Sequence, residues 1–259
     1  MIRVVVFDAD DTLLDFRASM VASLSAVLPQ IHALTPAARE LTIEDLDAEW
    51  AAVERENLGS LRDTRRESFR RSLERLGVTD ESVVDRIDQD YYAHRLLTTR
   101  AYPDAEPTLQ ALGADYRLGY ATNGNSEPER AGLGGYFAFQ IFARVDGLAP
   151  KPSRQFFDRV IECSRVHPEE IAYVGDDWNN DVMASTAAGL TAIWLNRAET
   201  AERRSAIRPN GTETAARLAA ISLNGSETAA NRPGYVEINS LSQLPAVLAA
   251  TAPRRPGTP

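Results

Sequence analysis

Arg3-Val4-Val5-Val6-Phe7-Asp8-Ala9-Asp10-Asp11-Thr12-Leu13-Leu14 reads as a buried strand that runs out into acids. Val4, Val5, Val6 and Phe7 are β-branched or aromatic without interruption, as in a short strand covered on both faces. On an extended chain residues i and i+2 share a side. Asp8 and Asp10 are therefore expected to face together into the space beyond the strand's carboxyl end, where open α/β sheets bind ligands. Two carboxylates held together are costly unless a cation neutralises them, so the pair implies a divalent metal. Taken alone, the segment reads equally well as a polar strand-to-loop junction with two solvated acids.

Three further segments break that tie. Leu118-Gly119-Tyr120-Ala121-Thr122-Asn123-Gly124 is a strand ending in a threonine, and Lys151-Pro152 follows downstream. Val174-Gly175-Asp176-Asp177-Trp178-Asn179-Asn180-Asp181 is a third strand end, now rich in acids, and leads into a helical segment from Ala184 to Gly189. Asp-x-Asp-x-Thr-Leu, the Thr strand end, the lysine and the acidic loop, in this order, resemble the four motifs of the haloacid dehalogenase superfamily. The resemblance covers residues 1 to about 196 and the strand near 235. It implies an α/β core with a Rossmann-like parallel sheet, helices on both faces, and an inserted all-α cap domain.

The pattern outside the motifs agrees with such a layout. From Asp15 to about Arg100 the apolar residues recur at helical spacing. Val21, Leu24, Leu28 and Ile31 mark one helix, and Leu46, Trp50 and Val53 a second. Phe69, Leu73 and Leu76 mark a third, and Val83, Ile87 and Tyr91 a fourth. Thr42 to Asp45 has the form of a capping box, with Leu41 and Leu46 as its staple. Beyond it, helices are expected over 103–112, 153–164 and 181–188, and strands over 117–122, 140–144, 171–175 and 191–195. Such alternation predicts a parallel sheet. The expected domains are a core formed by 1–15 and 100–250 and a helical cap of the C1 type over 16–99. Residues 197–234 contain a near-repeat around Asn210-Gly211 and Asn224-Gly225, both turn signals, and read as a surface insertion. Tyr235 to Ile238 reads as an edge strand, 241–248 as a closing helix, and 252–259 as a disordered tail.

Composition narrows the partners. A chain of 259 residues with 44% hydrophobic and 25% charged residues is of ordinary globular type. Its net charge of −9 argues against nucleic acid or an anionic membrane as partner. An anionic substrate has to be drawn in by local positive charge. One cysteine, Cys163, permits no internal disulfide and suits a reducing compartment. No run of about 18 apolar residues occurs, and the chain opens directly on a core strand, so a cytoplasmic protein is expected.

The family resemblance implies a chemistry for these residues. Asp8 is the candidate nucleophile that forms an aspartyl-phosphate, and Asp10 the acid that protonates the leaving oxygen and then activates water. The implied cofactor is Mg²⁺, bound by the Asp8 side chain, the Asp10 carbonyl and Asp176. Asp181 is expected behind it, on a metal-bound water or on Lys151, and Asp177 in either position. Thr122 and the main-chain N–H groups of Asn123 and Gly124 are the expected phosphate site. Asp11 stands where the family often has glycine.

Lys151 carries its own signal. Of 28 basic side chains 27 are arginine, and the single lysine falls at the third motif. An ammonium is a compact point charge that fits between an aspartate and a phosphoryl oxygen, whereas a guanidinium is broad and planar. Its replacement is expected to alter activity and leave stability nearly unchanged. Members of the family that cleave phosphonates use a cap lysine, and this cap has none; dehalogenase members lack the second carboxylate, here Asp10. Arg62, Arg65, Arg66, Arg70, Arg71 and Arg75 fall on one helix and read mainly as a solvated face paired with Glu67 and Glu74. Arg62 and Arg66 are retained as candidate contacts for an anionic leaving group. Trp178 is favoured for the mouth of the site, Trp50 for core packing. The expected function is Mg²⁺-dependent hydrolysis of a small soluble phosphate ester, a sugar phosphate or nucleoside monophosphate. The alternatives are a phosphomutase and a non-catalytic relative that binds phosphate or metal.

Overall fold

The computed structural model describes residues 1–56, 61–197 and 235–251. Six parallel strands, β1 (Val4–Phe7), β2 (Arg117–Thr122), β3 (Phe139–Phe142), β4 (Ile171–Gly175), β5 (Thr191–Leu195) and β6 (Tyr235–Ile238), lie in the order β3-β2-β1-β4-β5-β6. The chain runs outward from β1 through β2 to β3, returns to the other side of β1, and runs outward again. That reversal opens a crevice beyond the carboxyl ends of β1 and β4. Phe7 is level with Tyr120 on one neighbour and Val174 on the other. The Asp8 N–H donates to the Val174 carbonyl at 2.9 Å, so the first acid leaves the sheet at the crevice.

Among the described residues, eight α-helices accompany the sheet. Helices α1 (Phe16–His32), α2 (Ile43–Glu54), α3 (Leu61–Arg75) and α4 (Glu81–Thr98) fill the interval between β1 and β2. Helices α5 (Ala105–Leu112), α6 (Arg154–Ser164), α7 (Ala184–Ala187) and α8 (Leu244–Thr251) cover the sheet. Strand alternation sends Val5 and Phe7 into the layer with Leu109 of α5 and Leu248 of α8. Val4 and Val6 enter the opposite layer with Phe156, Phe157 and Val160 of α6. The family-like sheet is thus covered on both faces, as the unbroken apolar run of β1 requires.

Helices α1 to α4 build a separate core from Leu24, Val27, Ile31, Leu46, Phe69, Leu73, Ile87 and Tyr91. The capping box forms: Thr42 Oγ1 accepts from the Asp45 N–H, and Asp45 accepts from the Thr42 N–H at 2.9 Å. Leu41 and Leu46 both pack into that core. On α4 the buried stripe runs through Val84, with Val83 at its edge. No helix among the described residues is long and apolar enough to cross a membrane.

Several boundaries differ from expectation for local reasons. The segment expected as a strand over 140–144 is β3 at Phe139–Phe142, because the Asp146 carboxylate accepts the Phe142 N–H and turns the chain. The helix expected over 181–188 begins earlier, as a π-helical turn over Trp178–Met183 that passes into α7. Asp177 starts it, its Oδ1 accepting the N–H groups of Asn179 and Asn180. The helix expected over 103–112 starts at Ala105, since the Asp104 carboxylate is taken by Arg197, Ser240 and the Leu241 N–H. The closing helix starts with a 3₁₀ turn at Leu241–Gln243 and runs to Thr251. Cys163 is half-buried against α6's own layer. The expected insertion, apart from Arg197, and the expected tail lie outside the described residues.

The arginines of α3 are mostly fixed within the helical layer. Arg70 pairs with Glu67 and Glu74, and Arg71 pairs with Glu67 and Glu56. Hydrogen bonds from Arg70 and then Arg71 hold the Glu67 carboxyl down at about 2, below its ordinary 4.5. A depressed folded-state pKa contributes stability that is complete above about 4.5 and is lost as pH falls through about 2. Glu67→Gln should lower stability at pH 7 by about 0.5–1 kcal/mol, the scale of two half-exposed helix pairs. Thermal melts should show the gap from wild type closing between pH 4.5 and pH 2. A gap constant over that range would deny Glu67 its electrostatic role.

Candidate active site

The crevice holds a buried lysine between two carboxylates. Lys151 Nζ donates to Asp8 Oδ1 and to Asp181 Oδ1, each at 2.6 Å. Lys151 is 6% exposed and Asp181 1%. Burial disfavours the ammonium, but the Asp181 and Asp8 carboxylates outweigh it and raise the lysine well above its ordinary pKa. Burial pushes Asp181 up to about 7, against the pull of Lys151. Asp181 reaches back under β4 because Gly175 has no side chain; a Cβ there would run into the Asp181 carboxylate. The other oxygen of Asp181 accepts the Asp177 N–H at 3.0 Å.

Asn123 positions the lysine. Its Oδ1 accepts the Lys151 N–H at 2.7 Å and its Nδ2 donates to the Lys151 carbonyl at 3.0 Å, a two-point clamp on the backbone. The sequence reading assigned Asn123 only a main-chain donor, since a side-chain clamp across 28 residues leaves no local pattern. Thr122 Oγ1 accepts the Gly124 N–H at 2.9 Å, which folds this strand end into a tight turn facing Asp10. Gly124 is required there: a Cβ would lie 2.6 Å from Asp10 Oδ2. Asp11 adopts φ 59°, a left-handed conformation that glycine takes freely and aspartate tolerates.

Asp10 is tied to the helical layer. Ser126 Oγ donates to Asp10 Oδ1 at 2.8 Å and accepts from Arg95 Nη2 on α4 at 3.0 Å. Burial raises the Asp10 pKa, Arg95 opposes it, and the nearby Asp8 adds to it. Neither Arg95 nor Ser126 was singled out from the sequence; an arginine in an arginine-rich helix and a serine in a loop carry no distinguishing signal.

The residues present fit a hard cation. Asp8, Asp176 and Asp181 each offer an oxygen, all within 4.8 Å of one another, and the group contains carboxylates without histidine or cysteine. Burial first, then Asp8 and Asp181, raises Asp176 well above the usual carboxylate range, the signature of like charges that call for a counter-ion. Both Asp181 oxygens are already engaged, which leaves Asp8 and Asp176 the freer pair. Thr12 Oγ1 donates to Asp176 at 3.3 Å, and Trp194 Nε1 holds the Asp176 carbonyl at 3.0 Å. Asp177 is occupied as the cap of the π-helical turn.

Asp8, Asp10, Thr122, Asn123, Gly124, Lys151, Asp176, Asp177 and Asp181 all line one cavity of about 300 Å³ between the sheet and the helical layer. Arg62 and Arg66, expected as substrate contacts, do not line it. Arg66 is bound by Glu81 at 2.6 Å and Asp85 at 2.7 Å, and Arg62 by Asp88 at 3.5 Å. The tryptophans exchange places. Trp178 packs edge-on against Trp194 and Tyr235 behind the acidic loop, while Trp50 lines the cavity. Glu54, at the end of α2, and Arg65 of α3 line the cavity beside Trp50.

Known proteins of similar sequence and fold bear on the assignment. The chain matches the family model for haloacid dehalogenase-like hydrolases over residues 2–189. It is 30% identical over 200 residues to a 5-amino-6-(5-phospho-D-ribitylamino)uracil phosphatase of Escherichia coli, covering 75% of this chain and 83% of that one. It is 29% identical over 208 residues to a glyceraldehyde 3-phosphate phosphatase of Methanopyrus kandleri, covering 77% and 86%. A 2-haloacid dehalogenase structure from Pseudomonas syringae superposes with a TM-score of 0.69 at 28% identity, covering 97% of this chain and all of that one. With its four strand-end motifs gathered around one buried lysine, the chain belongs to the haloacid dehalogenase-like hydrolase family.

Proposed function

We propose that the protein is a Mg²⁺-dependent phosphomonoesterase that works through an aspartyl-phosphate on Asp8. The observation that carries this reading is the half-buried Asp10, held by Ser126 beside the Asp8–Lys151 pair. An alkoxide leaving from phosphorus needs a proton, and a carboxyl whose pKa is raised by burial holds one to give. A halide leaves without a proton, so a dehalogenase has no use for Asp10. Relatives named as phosphatases favour the same choice.

In the first step an Asp8 oxygen bonds to phosphorus as the ester P–O bond breaks, and the Asp10 proton passes to the departing oxygen. In the second, Asp10 takes a proton from a water that attacks phosphorus, and the phosphate–Asp8 bond breaks. Asp8, Asp176 and the Asp10 carbonyl are the proposed Mg²⁺ ligands; the bound ion would neutralise the phosphoryl oxygens as Asp8 approaches. Lys151 fixes Asp8 on its attack line, and Thr122 with the N–H groups of Asn123 and Gly124 takes the remaining oxygens. Helices α1 to α4 act as the C1 cap that excludes water and shapes the leaving-group pocket. The partner is a small phosphate ester, and a cytoplasmic setting suits such a substrate.

The test is phosphate release from p-nitrophenyl phosphate. Turnover should stop with a chelator and return with Mg²⁺, with Ca²⁺ at least about tenfold poorer because its larger, looser coordination misplaces the phosphoryl group. Chelator-resistant turnover would remove the metal from the mechanism. Transfer of phosphate to a second hydroxyl, with none released to water, would make the protein a phosphomutase. Binding of phosphate or Mg²⁺ without turnover would make it a non-catalytic relative.

A further inference from the structure

We propose that the cavity selects phosphomonoesters carrying a second anionic group, carboxylate or phosphate, and that Arg65 receives that group; the proposal rests on the phosphatase reading and names its substrate class. Arg65 differs from its neighbours on α3. Arg62 and Arg75 are largely exposed and pair with Asp88 and Glu49, and Arg66, Arg70 and Arg71 are each locked to carboxylates. Arg65 is 3% exposed, lines the cavity, and forms no ion pair among the described residues. Its Nη1 is buried without a hydrogen-bond partner among those residues.

A guanidinium so placed is costly unless something completes it. Aromatic rings supply part of the compensation: its Cζ lies 4.9 Å from the centre of Trp50, 5.0 Å from Tyr91 and 6.0 Å from Phe69. Rings satisfy the faces of the cation and leave its N–H edge for a hydrogen-bond acceptor. They also hold the guanidinium plane, so its fork is set in advance to meet two oxygens of one anion.

The surrounding charge favours an anion. Above the acidic floor the cavity wall carries Arg65, Arg95 and Arg144 against one carboxylate, Glu54. Burial raises the Glu54 pKa, opposed by Arg144 and Arg65, which weakens its claim as a permanent partner. In a chain of net charge −9 this is the local positive wall that an anionic substrate needs. A volume of about 300 Å³ suits an ester of a few carbons rather than a macromolecule.

Matched pairs test this. 3-Phosphoglycerate differs from glycerol 3-phosphate by a carboxylate, and ribulose 1,5-bisphosphate from ribulose 5-phosphate by a phosphate. The wild-type protein should favour the anionic member of at least one pair by about 10- to 100-fold in kcat/KM, the scale of one charged hydrogen-bonded contact. Which pair shows it assigns the anion as carboxylate or phosphate. Arg65→Met, close in shape, should reduce that ratio to about threefold or less, and Arg65→Lys should leave an intermediate value. Should Arg65→Met not fold, the wild-type ratios and Arg65→Lys decide. No preference in either pair overturns the proposal, as does a preference that survives Arg65→Met, or a higher kcat/KM for uridine monophosphate than for either anionic member. Calorimetric titration of the same pairs into Asp8→Asn protein reads the preference without turnover. Loss of hydrolysis with the preference intact would then overturn only the phosphatase reading, and flat titrations with p-nitrophenyl phosphate still hydrolysed by wild type would overturn only this one.

Discussion

Asp8→Asn should fold as the wild type does and release phosphate more slowly by a factor on the order of 10⁴ or more, the scale seen when a covalent nucleophile is removed. The amide nearly matches the carboxylate in shape, and its oxygen can still accept the Lys151 hydrogen bond that Asp8 Oδ1 accepts at 2.6 Å. It cannot attack phosphorus. Lys151 keeps Asp181 as an ionic partner, also at 2.6 Å, so the buried ammonium is not stranded. Removing one of three neighbouring carboxylates also relieves repulsion on Asp176, whose pKa is raised in part by Asp8. The measurements are phosphate release and a thermal melt on the purified variant. Release at the wild-type rate would end the nucleophile assignment.

Lys151 has the second largest expected effect, and it differs between two substitutions. Lys151→Arg retains charge but not compactness. The Nζ is enclosed by Asp8 and Asp181 and lies 5.7 Å from the centre of Phe156 and 5.6 Å from that of Tyr173. A guanidinium there pushes Asp8 off its attack line, and a displacement of about 1 Å can cost about 10²-fold in kcat. Near-normal kcat in Lys151→Arg would defeat the argument from a compact charge.

Lys151→Ala also loses a donor aimed at developing charge, worth about 3 kcal/mol in the barrier. The structure alters the expectation for stability. A lysine in an open site can be removed with little effect on folding, but here the ammonium is 6% exposed and neutralises buried acids. Breaking such a group should cost about 3 kcal/mol or more of stability at neutral pH in metal-free buffer. The sign of its pH dependence follows from Asp181, whose pKa rises from 3.8 to about 7 on burial. A carboxyl with a raised folded-state pKa favours folding fully below about 3.8 and loses that contribution as pH climbs through about 7. Without Lys151 its folded pKa rises further, so the stability deficit should be small near pH 4 and widen toward pH 7 and above. A deficit that is constant with pH would show that lost packing, rather than exposed charge repulsion, is responsible.

The sequence by itself determined the sheet and the strand-end acids, because those signals are local. The apolar run of Val4–Phe7, the ends of β2, β4 and β5 at Thr122, Gly175 and Leu195, and the capping box at Thr42 each depend on neighbours within a few residues. Strand ends sharing one sheet edge then bring Asp8, Thr122 and Asp176 together once the strands are parallel. What only the tertiary structure decided lies in the wall and the supports. Helical periodicity marks a buried stripe but not whether its edge meets solvent or another layer, so Arg66 read as the substrate contact and Arg65 as part of the solvated face, although Arg65 lines the cavity and Arg66 pairs with Glu81 and Asp85. The same ambiguity exchanged Trp50 and Trp178. Asn123 on Lys151, and Arg95 through Ser126 on Asp10, join residues 28, 31 and 116 positions apart. Contacts at such separations follow from how packed layers meet, and that is set by the sum of the burial across the molecule rather than by any stretch of chain.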